Sequence, residues 1–315
     1  MKQFRKLLTG MKNDNLFFYY IWTLYIYLRG KLELALVADI SSINKRYKLF
    51  SSSLPNVDTP VLFSEKMQWL KLNYYNELME ICADKHEVRG WLKSKGYESL
   101  LNEEYRLYKN VADINIDELP IRFTIKASHG SGWNLIVKDK NDINWFLWRK
   151  IMHIWLRSGI FWAGREWVYK NATPSLTCEK YLEDDSGELK DYKIHCFNGA
   201  PKYIQVNQGR GSARPIQNFY DLDWSLQHFG KDIAHNENAN ISPPTQLNSM
   251  LEIAKDLSSY FPYARVDFYQ VNERVIFGEI TFFPAGGYPD FNPSDYDKVW
   301  GDMLVLPEKN HDAPK

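Results

Sequence analysis

The sequence predicts an α+β fold, in which short strands pair with their neighbours and helices lie between the strand pairs. Residues 265–282, RVDFYQVNERVIFGEITF, contain two runs rich in Val, Ile, Phe and Tyr around a polar break at Asn272 and Glu273, which is typical of a β-hairpin. Residues 247–261 carry apolar side chains at spacings of three and four, which indicates a helix. Repeats and low-complexity tracts are absent from the sequence.

The remaining elements follow the same patterns of apolar spacing. Residues 64–109 carry apolar side chains at helical intervals, which predicts helix throughout this segment. Further along the chain, strands are predicted at 121–127, 135–137, 176–182, 192–197 and 202–206, and an amphipathic helix at 143–157. We place the predicted domain boundaries at 1–59 for an N-terminal helical and aromatic segment, 60–115 for a helical region and 116–308 for the main domain.

Composition limits the class of protein. With 315 residues, 44% hydrophobic and 25% charged, the chain is large enough for one large or two moderate globular domains. The 39 basic and 39 acidic residues balance, so no overall field attracts nucleic acid, and we expect no nucleic-acid partner. Cys82, Cys178 and Cys196 are too few for a disulfide framework or a zinc knuckle, so we expect a reduced, cytoplasmic protein.

The N-terminal region contains an uncharged aromatic stretch. Residues 15–28, NLFFYYIWTLYIYL, follow the basic residues Lys2, Arg5, Lys6 and Lys12. The stretch is too short to span a bilayer, which takes about 20 apolar residues, and it lacks the small-residue cleavage site of a signal peptide. It is interpreted either as a buried helix that packs on the protein or as a helix on the surface of a membrane, at its inner face.

Two acidic residues lie on the strands of the predicted hairpin. Alternation places Arg265 and Asp267 on one face of its first strand, and Glu279 on one face of its second. A turn at the polar break makes Asp267 and Glu279 cross-strand or diagonal neighbours, about 4.5–8 Å apart. Because like charges repel at this distance, we expect a divalent cation bound by their oxygens. Two alternatives are that Arg265 alone neutralises them, or that both face water.

A glycine-bearing turn provides a second candidate site. In IKASHGSGWN, Lys126 stands near the end of a strand and is followed by Gly130, Ser131 and Gly132. Such a turn lets backbone N–H groups approach an anion, and the lysine adds positive charge, so the segment is predicted to bind phosphate. Neither G-x-x-x-x-G-K-[ST] nor G-x-G-x-x-G is present. The alternative is an ordinary turn between antiparallel strands.

Together these motifs are similar to a known family. They occur in the order Asp84-Lys85, Lys126 with HGSG, CEKYL (178–182), DYKIHCFNGAPKYI (191–204), RVDFY (265–269) and FGEITFFPAGG (277–287). This order resembles the ATP-grasp superfamily, and within it the TupA-like branch associated with bacterial cell-surface polysaccharide gene clusters. The resemblance covers about residues 60–305. It implies two α+β subdomains that grip ATP between antiparallel sheets, an α-helical N-terminal region, and a hinge near 178–183.

The resemblance also implies which residues bind the nucleotide. Lys85 and Lys126 match two lysines that reach the phosphates, and the turn formed by Gly130, Ser131 and Gly132 matches the loop that closes over them. His129 in this turn is either a phosphate or substrate contact or a solvated turn residue. The residues that match the hinge, whose backbone pairs with the adenine edge, are Glu179, Lys180, Tyr181 and Leu182. Asp191 falls where an acid binds the ribose hydroxyls.

The remaining implied roles concern the reacting phosphate. Lys193 and Arg210 match basic positions near the γ-phosphate or the substrate, and Arg265 matches the arginine beside the metal ligands. Asp267 and Glu279 match the Mg²⁺ ligands. Thr281 stands where the third ligand is usually Asn, so a single hydroxyl oxygen replaces an amide oxygen and a second metal ion is expected to bind more weakly.

The resemblance implies an ATP-dependent ligase that uses Mg²⁺. Such an enzyme transfers the γ-phosphoryl group to a carboxylate, and an amine then attacks the acyl phosphate to form an amide. Positioning and charge neutralisation supply most of the rate, so a protein nucleophile is not required. The expected substrates are a sugar acid or lipid-linked glycan and an amino acid or other amine.

Two other functions fit parts of the sequence. Asp221, Leu222 and Asp223 form the D-x-D tripeptide of metal-dependent glycosyltransferases, although this common tripeptide also suits a turn beside a strand. A second alternative is a nucleotide-binding or membrane-associated scaffold that has lost catalysis. The presence of Lys126, Asp267 and Glu279 together argues against such a loss.

Overall fold

The computed structural model describes residues 15–184, 189–209, 216–231, 235–236, 238 and 241–310. Its helices are α1 (Leu16–Leu36), α2 (Asp39–Tyr47), α3 (Phe63–Asn73), α4 (Glu77–Ala83), α5 (Glu87–Ser94), α6 (Trp145–Arg157), α7 (Phe161–Gly164), α8 (Leu247–Ser258) and α9 (Tyr296–Met303). Its strands are β1 (Glu104–Tyr108), β2 (Phe123–Ala127), β3 (Asn134–Val137), β4 (Leu176–Lys180), β5 (Asp191–Phe197), β6 (Ala200–Gln208), β7 (Ile216–Tyr220), β8 (Leu226–Gln227), β9 (Tyr263–Val271) and β10 (Arg274–Thr281).

These elements belong to two compact units. The described part of unit 1 contains residues 15–38 and 80–182, and unit 2 contains 39–79 and the described residues from 183 onward. The boundary after Leu182 falls within residues 178–183, where the hinge is predicted. The chain therefore enters unit 2 twice.

Unit 1 is built on an antiparallel sheet with the strand order β1-β4-β2-β3, which we call the first sheet. The amphipathic helix α6 begins after Asn144, whose Oδ1 accepts a hydrogen bond from the N–H of Leu147. On its apolar face Trp148 and Trp155 are buried in the same core as Phe123 of the sheet. Burial of this aromatic face positions the strands that carry Lys126 and Glu179.

Strand β1 corrects one prediction. Helix was predicted throughout 64–109, but the last α-helix ends at Ser94, a short 3-10 helix follows at Glu98–Leu100, and residues 104–108, EYRLY, form a strand. This strand pairs with β4, where Tyr108 is opposite Leu176 and Leu107 is opposite Thr177. Pairing with a strand that lies about seventy residues away in sequence overrides local apolar spacing, which cannot reveal such a partner.

Helix α1 is longer than the predicted stretch and packs against unit 1 along one side only. Its buried residues are Tyr19, Thr23 and Gly30. The ring centroid of Tyr19 lies 6.0 Å from that of Trp148. Among the residues described, no helix has both the length and the apolar character to cross a bilayer.

Unit 2 is built on an antiparallel sheet with the order β10-β9-β5-β6-β7-β8, which we call the second sheet. Helix α8 packs on one face, where Cys196 Sγ lies 3.8 Å from the carbonyl oxygen of Ala254. On α9, Asp297 accepts hydrogen bonds from the N–H and hydroxyl of Ser64 at 2.8 and 2.6 Å. Trp300 of α9 is fully buried.

The β9–β10 hairpin forms as predicted, with one irregularity. Arg274 pairs with Val271 and Phe277 pairs with Phe268, but a bulge at Gly278 then shifts the register, so that Glu279 is opposite Asp267. A Cβ at Gly278 would lie 3.0 Å from the carbonyl oxygen of Asp267, so glycine suits this close approach.

Candidate active site

One face of the second sheet carries a buried cluster of charges. Alternation places Asp191 and Lys193 on the same face of β5, and the antiparallel register puts Lys193 opposite Asp267 of β9. The ammonium of Lys193 donates to Asp267 Oδ2 and, at 3.0 Å, to Asp191 Oδ1. These three side chains are at most 4% exposed, so each charge depends on its partners rather than on water.

Arg265 completes this cluster. Its Nε donates to Asp267 Oδ1 at 2.7 Å. Its Nη2 donates to Asp267 Oδ2 at 2.7 Å, to Glu279 Oε1 at 3.2 Å and to Thr281 Oγ1 at 3.0 Å. Burial raises the pKa of Asp267 against the opposing effects of Arg265 and Lys193. We call Asp191, Lys193, Arg265, Asp267, Glu279 and Thr281 the charged cluster.

The three predicted metal ligands converge on a single point. Asp267, Glu279 and Thr281 supply only oxygen atoms, which is the ligand chemistry that suits Mg²⁺. Arg265 Nη2 occupies that point and lies within 3.2 Å of one oxygen atom of each of these three residues. In the part of the chain that is described, no group of three or more His, Cys, Asp or Glu residues is arranged to hold a metal. The donor set fits a hard cation if Arg265 moves, and the magnesium site stays a prediction.

On the first sheet, Lys126 pairs with Glu179. Its Nζ donates to Glu179 Oε2 at 2.7 Å, across the neighbouring strands β2 and β4. Burial of Glu179 by itself raises the carboxyl pKa, but Lys126 together with Arg89 and Asn102 outweighs burial, so the pKa of Glu179 is lowered. Lys126 keeps a quarter of its side chain exposed. A cation with this degree of access can exchange part of its pairing for an anionic ligand.

Lys85 lies against the glycine-bearing turn. Its Nζ donates to the carbonyl oxygen of Gly130 at 2.6 Å. Gly132 has a φ of +75°, and a Cβ at Gly130 would lie 2.6 Å from the ring of Trp133, so both positions require glycine. Ser131 and Gly132 are exposed at the tip. The structure thus brings Lys85 and the predicted phosphate-binding turn together within unit 1.

The position of His129 differs from both predicted roles. Its imidazole is 2% exposed, and its Nε2 lies 2.9 Å from the carbonyl oxygen of Trp155. Burial lowers its pKa, which favours the neutral ring. The side chain therefore packs in the core of unit 1 rather than pointing to a phosphate or to water, because Trp133 and Trp155 provide an aromatic environment beside the turn.

Backbone groups of the predicted adenine hinge already form hydrogen bonds with other residues of the chain. The N–H of Lys180 donates to the carbonyl oxygen of Glu103 and its own carbonyl accepts from Asn102 Nδ2, both at 2.9 Å. The Tyr181 ring lies 4.4 Å from the guanidinium of Arg122. Asp191, predicted to bind ribose, is the partner of Lys193. The roles of the hinge and Asp191 stay predictions.

Arg210 lies outside the described residues, so the structure gives no contacts for this predicted basic residue. The Asp221 carboxylate of the D-x-D tripeptide accepts hydrogen bonds from the N–H groups of Asp223 at 3.1 Å and Ser225 at 2.7 Å. It therefore organises the turn after β7, as residues of this type often do.

A neutral hydrogen-bond chain beside the charged cluster was not predicted as part of the site. His195 is opposite Arg265, and Gln205 is opposite Lys193. His195 Nδ1 lies 2.7 Å from the Tyr263 hydroxyl and His195 Nε2 lies 3.0 Å from Gln205 Oε1, which fits a neutral imidazole with its proton on Nε2, and Gln205 Nε2 donates to Asn207 Oδ1 at 3.0 Å. The alternation of Gln205 and Asn207 with apolar residues in β6 is the signal that indicates such a polar face.

The chain is similar to proteins of one known family. Residues 65–305 match the family described as TupA-like ATP-grasp. No curated protein matches the sequence significantly.

Several solved structures are similar. The D-alanine–D-alanine ligase of Bacillus anthracis is 20% identical with a TM-score of 0.37, and the similarity covers 67% of this chain and 58% of that chain. The D-alanine–D-alanine ligase of Helicobacter pylori is 17% identical with a TM-score of 0.44, covering 77% and 69%. The ATP-grasp ligase PsnB with a minimal precursor is 10% identical with a TM-score of 0.39, covering 77% and 68%. The chain thus spans 58% of the length of the Bacillus anthracis enzyme.

Proposed function

Because the chain belongs to the TupA-like ATP-grasp family, we propose that it is an ATP-dependent ligase that joins a carboxylate to an amine through an acyl phosphate. The match over residues 65–305 confirms the predicted family and the predicted α+β ATP-grasp fold. The observation that carries the proposal is the charged cluster, in which the cations Lys193 and Arg265 are held by buried carboxylates.

The cations of this cluster suit phosphoryl transfer. In such a reaction negative charge spreads over the equatorial oxygens of the transferred group, and fixed positive charges stabilise it. Lys193 and Arg265 are held in place by Asp191, Asp267 and Glu279, so little reorganisation is needed when the phosphate arrives. Mg²⁺, held by Asp267 and Glu279 when bound, would add charge neutralisation at the phosphate oxygens.

In this proposal, residues of unit 1 bind the nucleotide. Lys126 shares its charge between Glu179 and a phosphate, since it keeps part of its side chain exposed. Lys85 supports the turn through Gly130, and the exposed backbone at Ser131 and Gly132 binds phosphate oxygens. The hinge residues Glu179 to Leu182 bind the adenine.

The reaction has a defined balance. The carboxylate and ATP give an acyl phosphate and ADP, and the amine then displaces phosphate to form the amide. We assign a sugar acid or lipid-linked glycan as the carboxylate and an amino acid or other amine as its partner, in cytoplasmic synthesis of a bacterial cell-surface or capsular polysaccharide. Support comes from membership of the TupA-like ATP-grasp family.

The glycosyltransferase alternative has less support. Its D-x-D tripeptide holds a turn through Asp221, and its chemistry belongs to other folds than the ATP-grasp fold of this chain. The scaffold alternative predicts nucleotide binding without turnover, and the following experiment separates it from the ligase.

The test measures ADP release by the full chain with Mg-ATP and mixtures of sugar acids and amino acids, with the amide identified by mass spectrometry. Glu279→Gln is the informative variant, because Glu279 is partly exposed and Arg265 remains bonded to Asp267. We expect a loss of about 10²-fold or more in turnover. Glu273→Gln, at the exposed turn of the same hairpin, is the matched control and is expected to keep full activity.

Asp267→Asn is a less suitable variant. Asp267 is 1% exposed and accepts hydrogen bonds from both Arg265 and Lys193. Loss of its charge leaves buried cations with too few partners, which costs about 3–5 kcal/mol in stability. Unchanged turnover in Glu279→Gln refutes the proposal, as does stabilisation by UDP-sugars alone in a thermal-shift assay with Mg-ATP as the alternative ligand.

A further inference from the structure

Helix α1 has an exposed apolar face, which we call the outward face. Its exposed large hydrophobic residues are Phe17, Phe18, Ile21, Tyr25, Leu28, Leu32 and Leu36, whereas Leu34 is exposed on the side of Gly30, which precedes it by four residues. Five of them, from Phe18 to Leu32, recur at intervals of three and four residues, so they form one stripe about 21 Å long at 1.5 Å per residue. A continuous exposed apolar surface of this kind is typical of an interaction site.

The opposite side of α1 is fixed to unit 1. A Cβ at Gly30 would lie 2.5 Å from Trp162 Nε1, so the helix and this indole approach closely. At the C-terminal end, Arg165 Nη2 donates to the carbonyl oxygen of Val37 at 2.9 Å. Tyr19 and Thr23 are buried on the same side. These contacts prevent rotation of the outward face into the core.

The exposed charges of α1 are basic, and so is the segment that precedes the helix in sequence. The exposed charged residues of α1 are Arg29 and Lys31, both positive. Residues 1–14 contain four basic residues and one acid, Asp14, giving a net charge of +3 by the count 4 − 1. A second copy would bring the same positive charges together, whereas an anionic phospholipid surface complements them.

The aromatic residues of the face suit the same partner. Phe17, Phe18 and Tyr25 are exposed; tyrosine is favoured at the boundary between lipid headgroups and acyl chains, and phenylalanine is typical of the apolar face of helices that lie there. A helix that lies in this boundary buries its apolar face and keeps its basic residues at the headgroups. We infer that the outward face of α1 docks on an anionic phospholipid bilayer, with the helix lying along the surface. This inference goes beyond the proposed ligase function and does not depend on it.

The test is co-sedimentation of the full chain with vesicles of phosphatidylcholine, alone or mixed with phosphatidylglycerol, at low and high sodium chloride. Leu28→Gln with Leu32→Gln removes two apolar contacts while keeping a good helix former. We expect the affinity for the mixed vesicles to fall about tenfold or more, since two half-exposed leucines lose their burial in lipid. Binding to phosphatidylcholine alone is expected to be weaker.

The matched control is Leu49→Gln with Val305→Gln, two residues of unit 2 that are 75% and 68% exposed. This control is expected to bind vesicles like the unchanged protein. Equal binding by both double variants overturns the inference, as does a lack of preference for phosphatidylglycerol. The inference is also overturned if the unchanged protein does not bind vesicles but forms a dimer in light scattering, and the Leu28→Gln with Leu32→Gln variant is a monomer. The ADP-release assay in solution is expected to be unchanged in both double variants, which separates this test from that of the ligase.

Discussion

Asp267 lies directly opposite Glu279 across the hairpin because the bulge at Gly278 shifts the register by one residue. Without the bulge, Gly278 would face Asp267, and the second carboxylate would lie opposite the apolar Val266, on the other face of the ribbon. The bulge therefore creates the acidic pair. Arg265 then bridges the two carboxylates through one nitrogen, at 2.7 and 3.2 Å.

This relationship predicts competition between Arg265 and a metal ion. Arg265→Gln removes the positive charge at the point where Asp267, Glu279 and Thr281 converge. The affinity of the nucleotide-free protein for Mn²⁺ is therefore expected to rise about tenfold, as measured by electron paramagnetic resonance. Arg274→Gln, at an exposed position of the same hairpin, is the control and is expected to leave Mn²⁺ binding unchanged. Weaker Mn²⁺ binding in Arg265→Gln, with its circular dichroism unchanged, contradicts the prediction.

The Lys126–Glu179 pair predicts a pH-dependent stability. The pKa of Glu179 is lowered in the folded state, so the ionised carboxylate stabilises the fold at pH values above its unfolded pKa of about 4.3. This stabilisation is lost as the pH falls towards the pKa of Glu179 in the folded state. Glu179→Gln is expected to reduce the free energy of unfolding by about 1.5–3 kcal/mol near neutral pH, with a smaller difference at acidic pH.

Urea unfolding at several pH values measures this difference. Glu103→Gln is the control, because Glu103 is 61% exposed and lies 3.6 Å from Lys180, so its loss is expected to change stability by less than about 1 kcal/mol. A difference between Glu179→Gln and the unchanged protein that stays constant from neutral to acidic pH contradicts the assignment.

His195 predicts stability loss in a different pH range. Burial, followed by the nearby charge of Arg265, lowers the pKa of His195 well below its usual value. The unfolded chain takes up a proton below about pH 6.5 while the folded chain does not, so stability is present above this pH and falls below it by about 1.4 kcal/mol per pH unit. Guanidinium unfolding of His195→Gln is expected to lack this part of the slope.

The control for this experiment is His153→Gln, since His153 is exposed on α6. This variant and the unchanged protein are expected to show the same slope of unfolding free energy against pH. The comparison covers the range from neutral pH down to the pH at which carboxylates begin to titrate. If His195→Gln retains the full slope, the folded protein protonates His195 and the assigned tautomer in the hydrogen-bond chain is wrong.

Two glycines predict opposite effects of the same substitution. Gly130→Ala places a Cβ 2.6 Å from the Trp133 ring, and the expected cost is about 1–3 kcal/mol because the indole must move. Gly90→Ala, on an exposed face of α5 with nothing within 4 Å, is expected to stabilise by about 0.5–1 kcal/mol. Thermal unfolding measures both. If Gly130→Ala is as stable as the unchanged chain, the turn does not depend on the close approach between residue 130 and the Trp133 ring.

Much of the local structure could be predicted because it depends on neighbours in sequence. The hairpin follows from period-two alternation around Asn272 and Glu273, and α8 follows from apolar spacing. Helix α6 and the strands β2 to β6 were predicted for the same reason, with ends that differ by a few residues, whereas β7 and β8 were not predicted. Strand β1 was missed because its partner is distant in sequence.

The sequence by itself determined the family, most of the strands in their order along the chain, and the presence of Asp267 and Glu279 on one hairpin. Only the tertiary structure decided that Arg265 holds the point between Asp267 and Glu279, that His129 is buried, and that α1 leaves one apolar face exposed. The physical reason is that alternation and spacing assign a side chain to a face of its own element. The side chains that cover this face, and the charged groups that contact it, come from distant segments that folding brings together.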